Sequence, residues 1–120
     1  MELYFCEVCG SVLWRVKDGE NPVCCGKPMQ LLKPNTVDAA VEKHVPQVKK
    51  EDGKIVIEVG SVEHPMIDEH YIMWIAAVKD DLVVKKDLKP GDKPAFTVCD
   101  NGFKEFYAYC NIHGLWKGEA

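Results

Sequence analysis

The stretch Asp52-Gly53-Lys54-Ile55-Val56-Ile57-Glu58-Val59 decides how the larger part of this 120-residue chain folds. From Ile55 to Val59 every second residue is a large aliphatic, which is the period of a β-strand with one buried face. The Asp52-Gly53 pair ahead of it is typical of a two-residue hairpin turn. The stretch therefore predicts an antiparallel pair of strands that packs one face against a core.

Further strands are predicted on the C-terminal side of this hairpin. Tyr71–Val78 is apolar on both faces, as expected for a central strand that is covered on both sides. Three more strands are predicted at Leu82–Lys86, Ala95–Cys99 and Phe103–Cys110. Short strands at this spacing, with turn residues between them, predict a mainly β fold with an immunoglobulin-like β-sandwich.

The first 36 residues form a separate small segment. Pro34 and Asn35 interrupt the pattern, so we place one domain at residues 1–36 and the sandwich at residues 37–120. About thirty residues bury too little apolar area to offset the entropy of ordering them, so such a unit usually needs a metal ion, a disulfide or a partner chain. Just beyond the boundary, Asp38–Glu42 could form a short helical turn, although no capping residue supports it.

Four of the six cysteines lie in this small segment, as Cys6-x-x-Cys9 and the adjacent pair Cys24-Cys25. Two such turns can supply four thiolates to one tetrahedral ion, and zinc and iron both accept that donor set. Gly10 and Gly26 follow the two pairs and let the backbone amides approach the sulfurs. A purely structural zinc site and a pair of disulfides are the alternatives, but a disulfide between neighbouring cysteines would be strained.

Composition narrows the function classes. The net charge is −4, with 28% charged and 47% hydrophobic residues, which argues against a basic protein that coats nucleic acid. No apolar run is long enough to span a membrane and the N-terminus does not resemble a secretory signal, so we expect a cytoplasmic protein with no membrane segment. In a reducing cytosol cysteines bind metal more often than they form disulfides.

A second group of metal-type ligands lies in the predicted sandwich. Its members are His44, His64, His70 and His113, which are all the histidines of the chain, and Cys110. Any one of these histidines would by itself be read as a solvated or hydrogen-bonded side chain. Together they lie at predicted strand ends or loops, where the loops of a sandwich converge, and Cys110-x-x-His113 has metal-ligand spacing. Imidazoles plus one thiolate suit a transition ion that can change its oxidation state.

With both ligand groups in place, the chain resembles desulfoferrodoxin, the two-iron class of superoxide reductase, over essentially its whole length. The residues that carry the resemblance are Cys6-Glu7-Val8-Cys9-Gly10, Val23-Cys24-Cys25-Gly26, Glu42-Lys43-His44-Val45-Pro46, Gly60-Ser61-Val62-Glu63-His64-Pro65-Met66, His70 with Trp74, Leu88-Lys89-Pro90-Gly91, and Tyr109-Cys110-Asn111-Ile112-His113-Gly114-Leu115-Trp116-Lys117. Adjacent Cys24 and Cys25 distinguish the first unit from ordinary rubredoxin.

The resemblance implies a function and a set of roles. Cys6, Cys9, Cys24 and Cys25 would hold a desulforedoxin-like iron. The four histidines would form a square plane around a second iron, with Cys110 as the axial thiolate. Glu42 would occupy the sixth position in the oxidised resting state, and Lys43 would guide the anionic substrate. The implied reaction is the reduction of superoxide to hydrogen peroxide, with a rubredoxin-like electron donor and a homodimeric assembly.

Three other functions remain open from the sequence. An electron carrier would use the four-cysteine iron alone, and a superoxide dismutase would evolve oxygen where a reductase consumes an external electron. A zinc-ribbon binding module would place basic and aromatic residues near its cysteines, where this chain has only Arg15, Lys17 and Trp14. Outside the ligand groups, Cys99 is interpreted as a small strand residue, and the three tryptophans as core or interface aromatics.

Overall fold

A computed structural model describes residues 2–80 and 82–119 of the chain. The chain divides into two compact units, Met1–Lys33 and Pro34–Ala120, so the division falls in the segment where the sequence pattern is interrupted. Each unit has its own buried cluster. The part of the chain that the structure describes contains no helix with the length and hydropathy of a membrane span.

The first unit is a small β structure. Its strands are β1 (Glu2–Phe5), β2 (Val12–Arg15), β3 (Val23–Cys24), β4 (Lys27–Pro28) and β5 (Gln30–Leu31). They form an antiparallel sheet in the order β2-β1-β5 and a separate two-stranded hairpin of β3 and β4. Its buried cluster consists of Tyr4, Cys6 and Met29, with Cys24 packed against it. One member of this small core, Cys6, and the residue packed against it, Cys24, are therefore predicted metal ligands.

The described part of the second unit, residues 34–80 and 82–119, contains seven strands and one short helix. They are α1 (Val41–His44), β6 (Pro46–Glu51), β7 (Lys54–Val59), β8 (Ile72–Lys79), β9 (Leu82–Asp87), β10 (Ala95–Cys99), β11 (Glu105–Cys110) and β12 (Gly114–Glu119). One sheet has the order β10-β7-β6 and the other β12-β11-β8-β9, with every neighbouring pair antiparallel. The predicted immunoglobulin-like sandwich is confirmed, with its fourth strand, β9, paired on the larger sheet.

The core lies between the two sheets. Alternate residues of β7, Ile55, Ile57 and Val59, are almost completely buried, as the opening stretch predicts. The Asp52-Gly53 turn that joins β6 to β7 has positive φ at both residues, 48° and 73°, as a type I′ hairpin requires. From the other sheet, β8 and β11 contribute Ile72, Ile75, Phe106 and Cys110 to the same cluster. The strand predicted at Tyr71–Val78 is central, since β8 lies between β11 and β9.

Some details differ from the sequence-based prediction. The helical turn forms at Val41–His44, three residues later than expected, after Ala40, whose side chain makes no capping hydrogen bond. Strand β12 was not predicted, because Gly114, Lys117 and Gly118 break up its apolar pattern. Strands β10 and β11 pair with different sheets, so the turn between them crosses from one side of the sandwich to the other.

Candidate metal centres

Two tight turns of the first unit bring its four cysteines together. In the Cys6–Cys9 turn the Gly10 N–H donates to the Cys6 carbonyl over 2.9 Å, which closes the loop around the two sulfurs. Cys25 and Gly26 are the two central residues of the β3–β4 hairpin, and both have positive φ, 54° and 75°. A two-residue hairpin of this kind requires left-handed backbone at both positions. This turn therefore explains why the second cysteine pair is adjacent and why glycine follows it.

The sulfur positions fit one tetrahedral ion. The Sγ atoms of all four cysteines lie within 4.8 Å of one another. The Cys9–Cys24 separation is 3.7 Å and the Cys24–Cys25 separation 3.9 Å. Bonds of about 2.3 Å to a tetrahedral ion place sulfurs about 3.8 Å apart. All six cysteines of the chain are free thiols, so the disulfide alternative is wrong.

Because these thiols are crowded together, the pKa values of Cys6 and Cys24 are shifted in opposite directions. Hydrogen bonding from the Cys9 backbone N–H lowers the pKa of Cys6 to about 7. The Cys6 sulfur hydrogen-bonds the protonated Cys24 thiol, and together with Cys9 and Cys25 it raises the pKa of Cys24 to about 12. A thiolate beside other thiolates is costly unless a cation neutralises the charge. The unit therefore needs a bound cation to hold all four sulfurs as ligands.

The second centre draws its side chains from four segments of the sandwich. His44 ends α1, His64 follows the loop after β7, His70 forms an isolated bridge with Ile67, and His113 lies in the turn between β11 and β12. The prediction that all four histidines lie at strand ends or loops is wrong for His44, which is helical. His44 and His64 are each only 2% exposed, which is unusual for histidines without a partner.

The four imidazole rings form a square. Neighbouring ring centroids are 4.6 Å (His44–His64), 4.6 Å (His64–His70), 5.0 Å (His70–His113) and 4.9 Å (His113–His44) apart. The His44–His70 diagonal is longer, 6.2 Å. Neighbouring rings stand nearly perpendicular, at 74° to 88°. Four rings around a common centre, each edge-on to the next, are what a planar four-imidazole site requires.

Nitrogen positions and backbone anchors agree with that arrangement. His44 Nε2 lies 3.1 Å from His64 Nε2 and 3.1 Å from His113 Nδ1. Two nitrogens at right angles on bonds of about 2.1 Å lie about 3.0 Å apart. The opposite nitrogen of His44 is 2.6 Å from the Ala40 carbonyl, and that of His64 is 2.7 Å from the Pro65 carbonyl. Each Nδ1–H donates to its carbonyl, which leaves the Nε2 lone pair for an ion.

The remaining corner carries an unsatisfied nitrogen. His70 Nε2 is buried and has no hydrogen-bond partner in the described part of the chain. Such an atom is costly without a partner, and a metal ion at the centre of the square would supply one. Asn111 fixes this corner against the β11–β12 turn, because its side chain donates to the Glu69 carbonyl over 3.1 Å and accepts from the Tyr71 N–H over 3.0 Å. Asn111 was not singled out from the sequence.

Cys110 supplies a sulfur on the core side of the square. It ends β11 completely buried, on the strand face that also carries Phe106 and Ala108, as predicted. The register of β11 against β8 shifts between Tyr109 and Cys110, so a bulge redirects the chain at the site. Burial raises the pKa of Cys110, while backbone N–H groups of His113 and Ile112 act in the opposite direction. A positive ion beside the sulfur would favour the thiolate.

The imidazoles of His44, His64 and His70 are held neutral, which is the form that binds metal. Burial lowers the pKa of His64 to about 4, and it lowers the pKa of His44 as well. For His70, burial lowers the pKa first, and the charges of His113 and Lys43 lower it further. The electrostatic field of Lys43 therefore reaches the site.

Glu42 and Lys43 are exposed on α1, directly before His44. Their backbone is held by the loop after β7, where the Val62 N–H donates to the Glu42 carbonyl over 2.9 Å and Ser61 donates to the same oxygen over 3.3 Å. Gly60 makes this approach possible, since its φ is +83° and a Cβ there would lie 2.7 Å from the Glu42 carbonyl oxygen. This explains the Gly60-Ser61-Val62 part of the sequence motif.

One contact of the site was missed in the sequence. Trp116, interpreted there as a core aromatic, stacks on His44 with ring centroids 4.8 Å apart. By contrast, Trp74 stacks on Tyr109, at 5.7 Å. Cys99 ends β10 on the surface and joins neither centre.

The structure brings the predicted ligands together in two groups. The donor atoms of His44, His64, His70 and Cys110 all lie within 4.8 Å of one another, as do those of the four N-terminal cysteines. His113 is not in the first group, although its Nδ1 lies 3.9 Å from the Cys110 sulfur and its ring completes the square. Glu42 and Lys43 directly precede His44 in α1, and this places them beside the group.

The fold and the two donor sets define a class of metalloprotein: a β-sandwich with a histidine-cysteine centre, preceded by a tetrathiolate unit. The family model described as desulfoferrodoxin matches residues 36–119, and the one described as desulfoferrodoxin, N-terminal domain, matches residues 1–32. The chain belongs to the desulfoferrodoxin family. The two donor sets fit the two iron centres of that family.

Individual relatives agree with this assignment. A desulfoferrodoxin homolog from Archaeoglobus fulgidus is 48% identical and covers 98% of this chain and 95% of its own. The crystal structure of the superoxide reductase from Treponema pallidum superposes with a TM-score of 0.78 at 33% identity, covering 99% of this chain and 100% of that one. The superoxide reductase (1Fe-SOR) from Giardia intestinalis covers 66% of this chain and 97% of its own, with a TM-score of 0.53 at 29% identity.

Proposed function

We propose that this chain is a superoxide reductase that converts superoxide to hydrogen peroxide at the second centre. The observation that carries the proposal is the square of four imidazoles with the buried Cys110 sulfur on its core side. The names of the Treponema pallidum and Giardia intestinalis relatives support it. An iron ion bound there would supply a one-electron redox centre.

The chain's own residues prepare this centre. The imidazoles of His44, His64, His70 and His113 and the thiolate of Cys110 would be the residues that hold the iron. The backbone carbonyls that anchor His44 and His64 keep the metal-facing nitrogens free of protons. The amides of Ile112 and His113 stabilise negative charge on the Cys110 sulfur, and so tune its electron donation.

Exposed residues beside the square of histidines attract superoxide and control its access to the site. Lys43 provides positive charge that attracts the superoxide anion, in a chain whose overall balance is −4. It makes no ion pair with any described residue, so its charge is not neutralised by a fixed partner. Glu42 is the carboxylate that closes the open face of the site between turnovers. Protons for hydrogen peroxide come from water at this exposed edge, where Asn111 and Ile112 are also exposed.

We assign residues 1–36 to the desulforedoxin-like unit and residues 37–120 to the catalytic sandwich, a boundary three residues beyond the division of the two compact units at Lys33 and Pro34. Cys6, Cys9, Cys24 and Cys25 hold the first iron, which stabilises the small unit and can relay electrons. The donor is a rubredoxin-like protein, and the chain acts in the cytoplasm as a homodimer, which would give the small unit a partner. We propose neither a nucleic-acid partner nor a membrane-bound state.

Two single substitutions separate this function from that of an electron carrier. The full chain is loaded with iron, reduced and mixed with superoxide in a stopped-flow instrument. Cys110→Ser should slow oxidation of the second centre by superoxide at least about 100-fold. Mutating a residue that only supports a metal ligand usually costs about 10- to 100-fold in activity, and removing a ligand itself should cost more. Cys24→Ser, which alters only the first centre, should leave the rate within about 2-fold of wild type if measured on chains with the second centre filled.

The opposite pattern would identify the chain as an electron carrier. In that case Cys24→Ser would abolish the reaction and Cys110→Ser would preserve it. Metal analysis of each variant, with its visible spectrum, establishes which centre is filled before the rates are compared.

A further inference from the structure

We propose that Trp116 is a positioning residue of the second centre, which holds His44 and His113 at right angles and thereby favours iron over zinc. The inference rests on the proposed function, because it takes the square of histidines to be the iron site. It concerns a tryptophan that contributes no donor atom, on a strand that the sequence did not reveal.

Trp116 contacts two adjacent corners of the square in different ways. Its indole stacks on the His44 ring with centroids 4.8 Å apart and an interplanar angle of 25°. Its Nε1–H donates to the His113 backbone carbonyl over 3.1 Å. The two rings that it contacts stand at 88° to each other. Trp116 is 1% exposed, so the indole itself is held firmly by its surroundings.

These contacts supply restraints that the two histidines otherwise lack. The Nδ1 hydrogen bond to Ala40 fixes one point of the His44 ring, and a single hydrogen bond leaves the ring free to tilt about it. Stacking against a flat, buried indole opposes that tilt. For His113, the described hydrogen-bond contacts of the ring all lead to His44 and Cys110, which are themselves donors of the centre. Its orientation therefore depends on its backbone, which Trp116 holds.

Ring orientation matters because the two metals differ in geometry. Zinc prefers four donors in a tetrahedron, and a set of five donors contains several such subsets. Iron accepts more donors, and the square offers four imidazoles around one centre with the Cys110 sulfur beside them. If His44 and His113 were free to tilt, one of them could leave the plane and the others could close around zinc with Cys110. Holding both rings therefore disfavours the zinc geometry without adding a ligand.

The test compares metal binding in Trp116→Leu, Trp116→Phe and a matched control, Trp74→Leu. Leucine removes both the stacking and the hydrogen bond, whereas phenylalanine can stack but cannot donate. Trp74 is a half-buried tryptophan in the same sheet that also stacks on an aromatic ring, but its described ring contact is with Tyr109 and not with a histidine. Urea denaturation checks that each variant is folded.

The metal-free full chain is titrated anaerobically with Co²⁺, and then with Fe²⁺ and Zn²⁺ in competition. In Trp116→Leu we expect the Fe²⁺-to-Zn²⁺ affinity ratio of the second centre to fall by about 10- to 100-fold. In Trp116→Phe we expect a smaller fall of about 3- to 10-fold, because only the hydrogen bond is lost. The Co²⁺ difference spectrum against wild type, in which the first centre cancels, should gain the intense visible bands of tetrahedral cobalt.

Three results would overturn the inference. One is a Trp116→Leu protein that keeps the wild-type ratio and cobalt spectrum. Another is an equal loss in Trp74→Leu, which would make the effect a general one of core packing. If Trp116→Leu does not fold, the test uses Trp116→Phe. A wild-type Fe²⁺-to-Zn²⁺ affinity ratio in Trp116→Phe would then contradict the proposal. Uptake of only one Co²⁺ by the wild-type chain would contradict the second centre itself, and so distinguishes failure of the proposed function.

Discussion

Both units of this chain hold a metal ion, but they differ in the size of the apolar core that surrounds its ligands. In the first unit the buried cluster is Tyr4, Cys6 and Met29, so a ligand is itself part of the core. In the sandwich, eleven buried residues form a cluster in which Cys110 is one member among many. A core of that size can fold first and present a site, whereas the small unit has little to fold around without its ion.

This contrast means that the metal has a different role in each unit. In the first it is a structural component, because the crowded thiols of Cys24 and Cys25 have raised pKa values and disfavour their ionised forms until a cation is present. In the second, hydrogen bonds to Ala40 and Pro65, stacking by Trp116 and the Asn111 bridge position the donors from outside. The sandwich therefore preorganises its centre, as a site for repeated redox chemistry needs.

Removal of metal should have the largest effect, and only on one side of the comparison. After chelation under reducing conditions, or in Cys24→Ser, amides of residues 2–33 should lose hydrogen-exchange protection almost completely. Those in the β-strands of residues 46–119 should keep theirs, because the sandwich core does not depend on the ion. Hydrogen exchange with mass spectrometry resolves the two regions. Equal loss of protection in both would contradict the division of roles.

Gly60→Ala should produce the largest change within the sandwich. Its φ of +83° and the close Glu42 and Val62 carbonyls leave no room for a Cβ, so we expect a loss of about 2–4 kcal/mol in the free energy of unfolding. The matched control is Gly53→Ala, which has φ +73° but nothing within 4 Å, and should cost about 1 kcal/mol. Urea denaturation measures both, and equal costs would show that the Glu42 loop is not tightly packed there.

Acid should destabilise the metal-free sandwich through its buried histidines. The pKa of His64 is lowered from 6.5 to about 4 by burial, so below pH 6.5 the unfolded chain binds protons that the folded chain does not. Stability should therefore decrease as the pH falls from about 6.5 to about 4, by about 3 kcal/mol for this residue alone. Denaturation of metal-free protein at several pH values checks this, with His64→Gln expected to reduce the slope. A flat profile would contradict burial as the cause.

The Lys43→Ala substitution should have the smallest effect, because an exposed charge mainly changes the rate at which superoxide and the protein meet. Lys43→Ala should lower the second-order rate with superoxide about 3- to 10-fold at low ionic strength and flatten its salt dependence. Lys54→Ala removes the same charge from the far end of β7, beside the hairpin turn, and should leave the rate nearly unchanged. Equal effects of the two substitutions would assign the steering to net charge and not to Lys43.

Sequence reasoning was most successful where the signal is local. The Asp52-Gly53 turn, the alternation through β7 and the two-cysteine turns each depend on residues a few positions apart, and all four cysteines were found as one group. The limits of α1 and the existence of β12 were missed, because α1 lacks a side-chain cap and glycines interrupt β12. Tertiary packing determines both, and that packing is not encoded in any short window of residues.

Prediction of the metal centres from the sequence is limited in the same way. Candidate donors could be identified by residue type and motif, but the residues that hold them could not. Trp116 was interpreted as core and Asn111 was not assigned a role, since neither has a ligand's chemistry. Only the folded chain shows that Trp116 contacts His44, 72 positions away, or that Asn111 joins the His70 segment to the Cys110 turn. Roles of this kind depend on long-range contacts between segments.

The most direct test of the central claim is the product balance of the iron-loaded chain supplied with superoxide and an excess of a one-electron donor. A reductase consumes one electron and two protons for each superoxide, so we expect one hydrogen peroxide per superoxide, matched by donor oxidation, and no evolved oxygen. Half as much peroxide together with oxygen, and no donor oxidised, would show dismutation and would contradict the account.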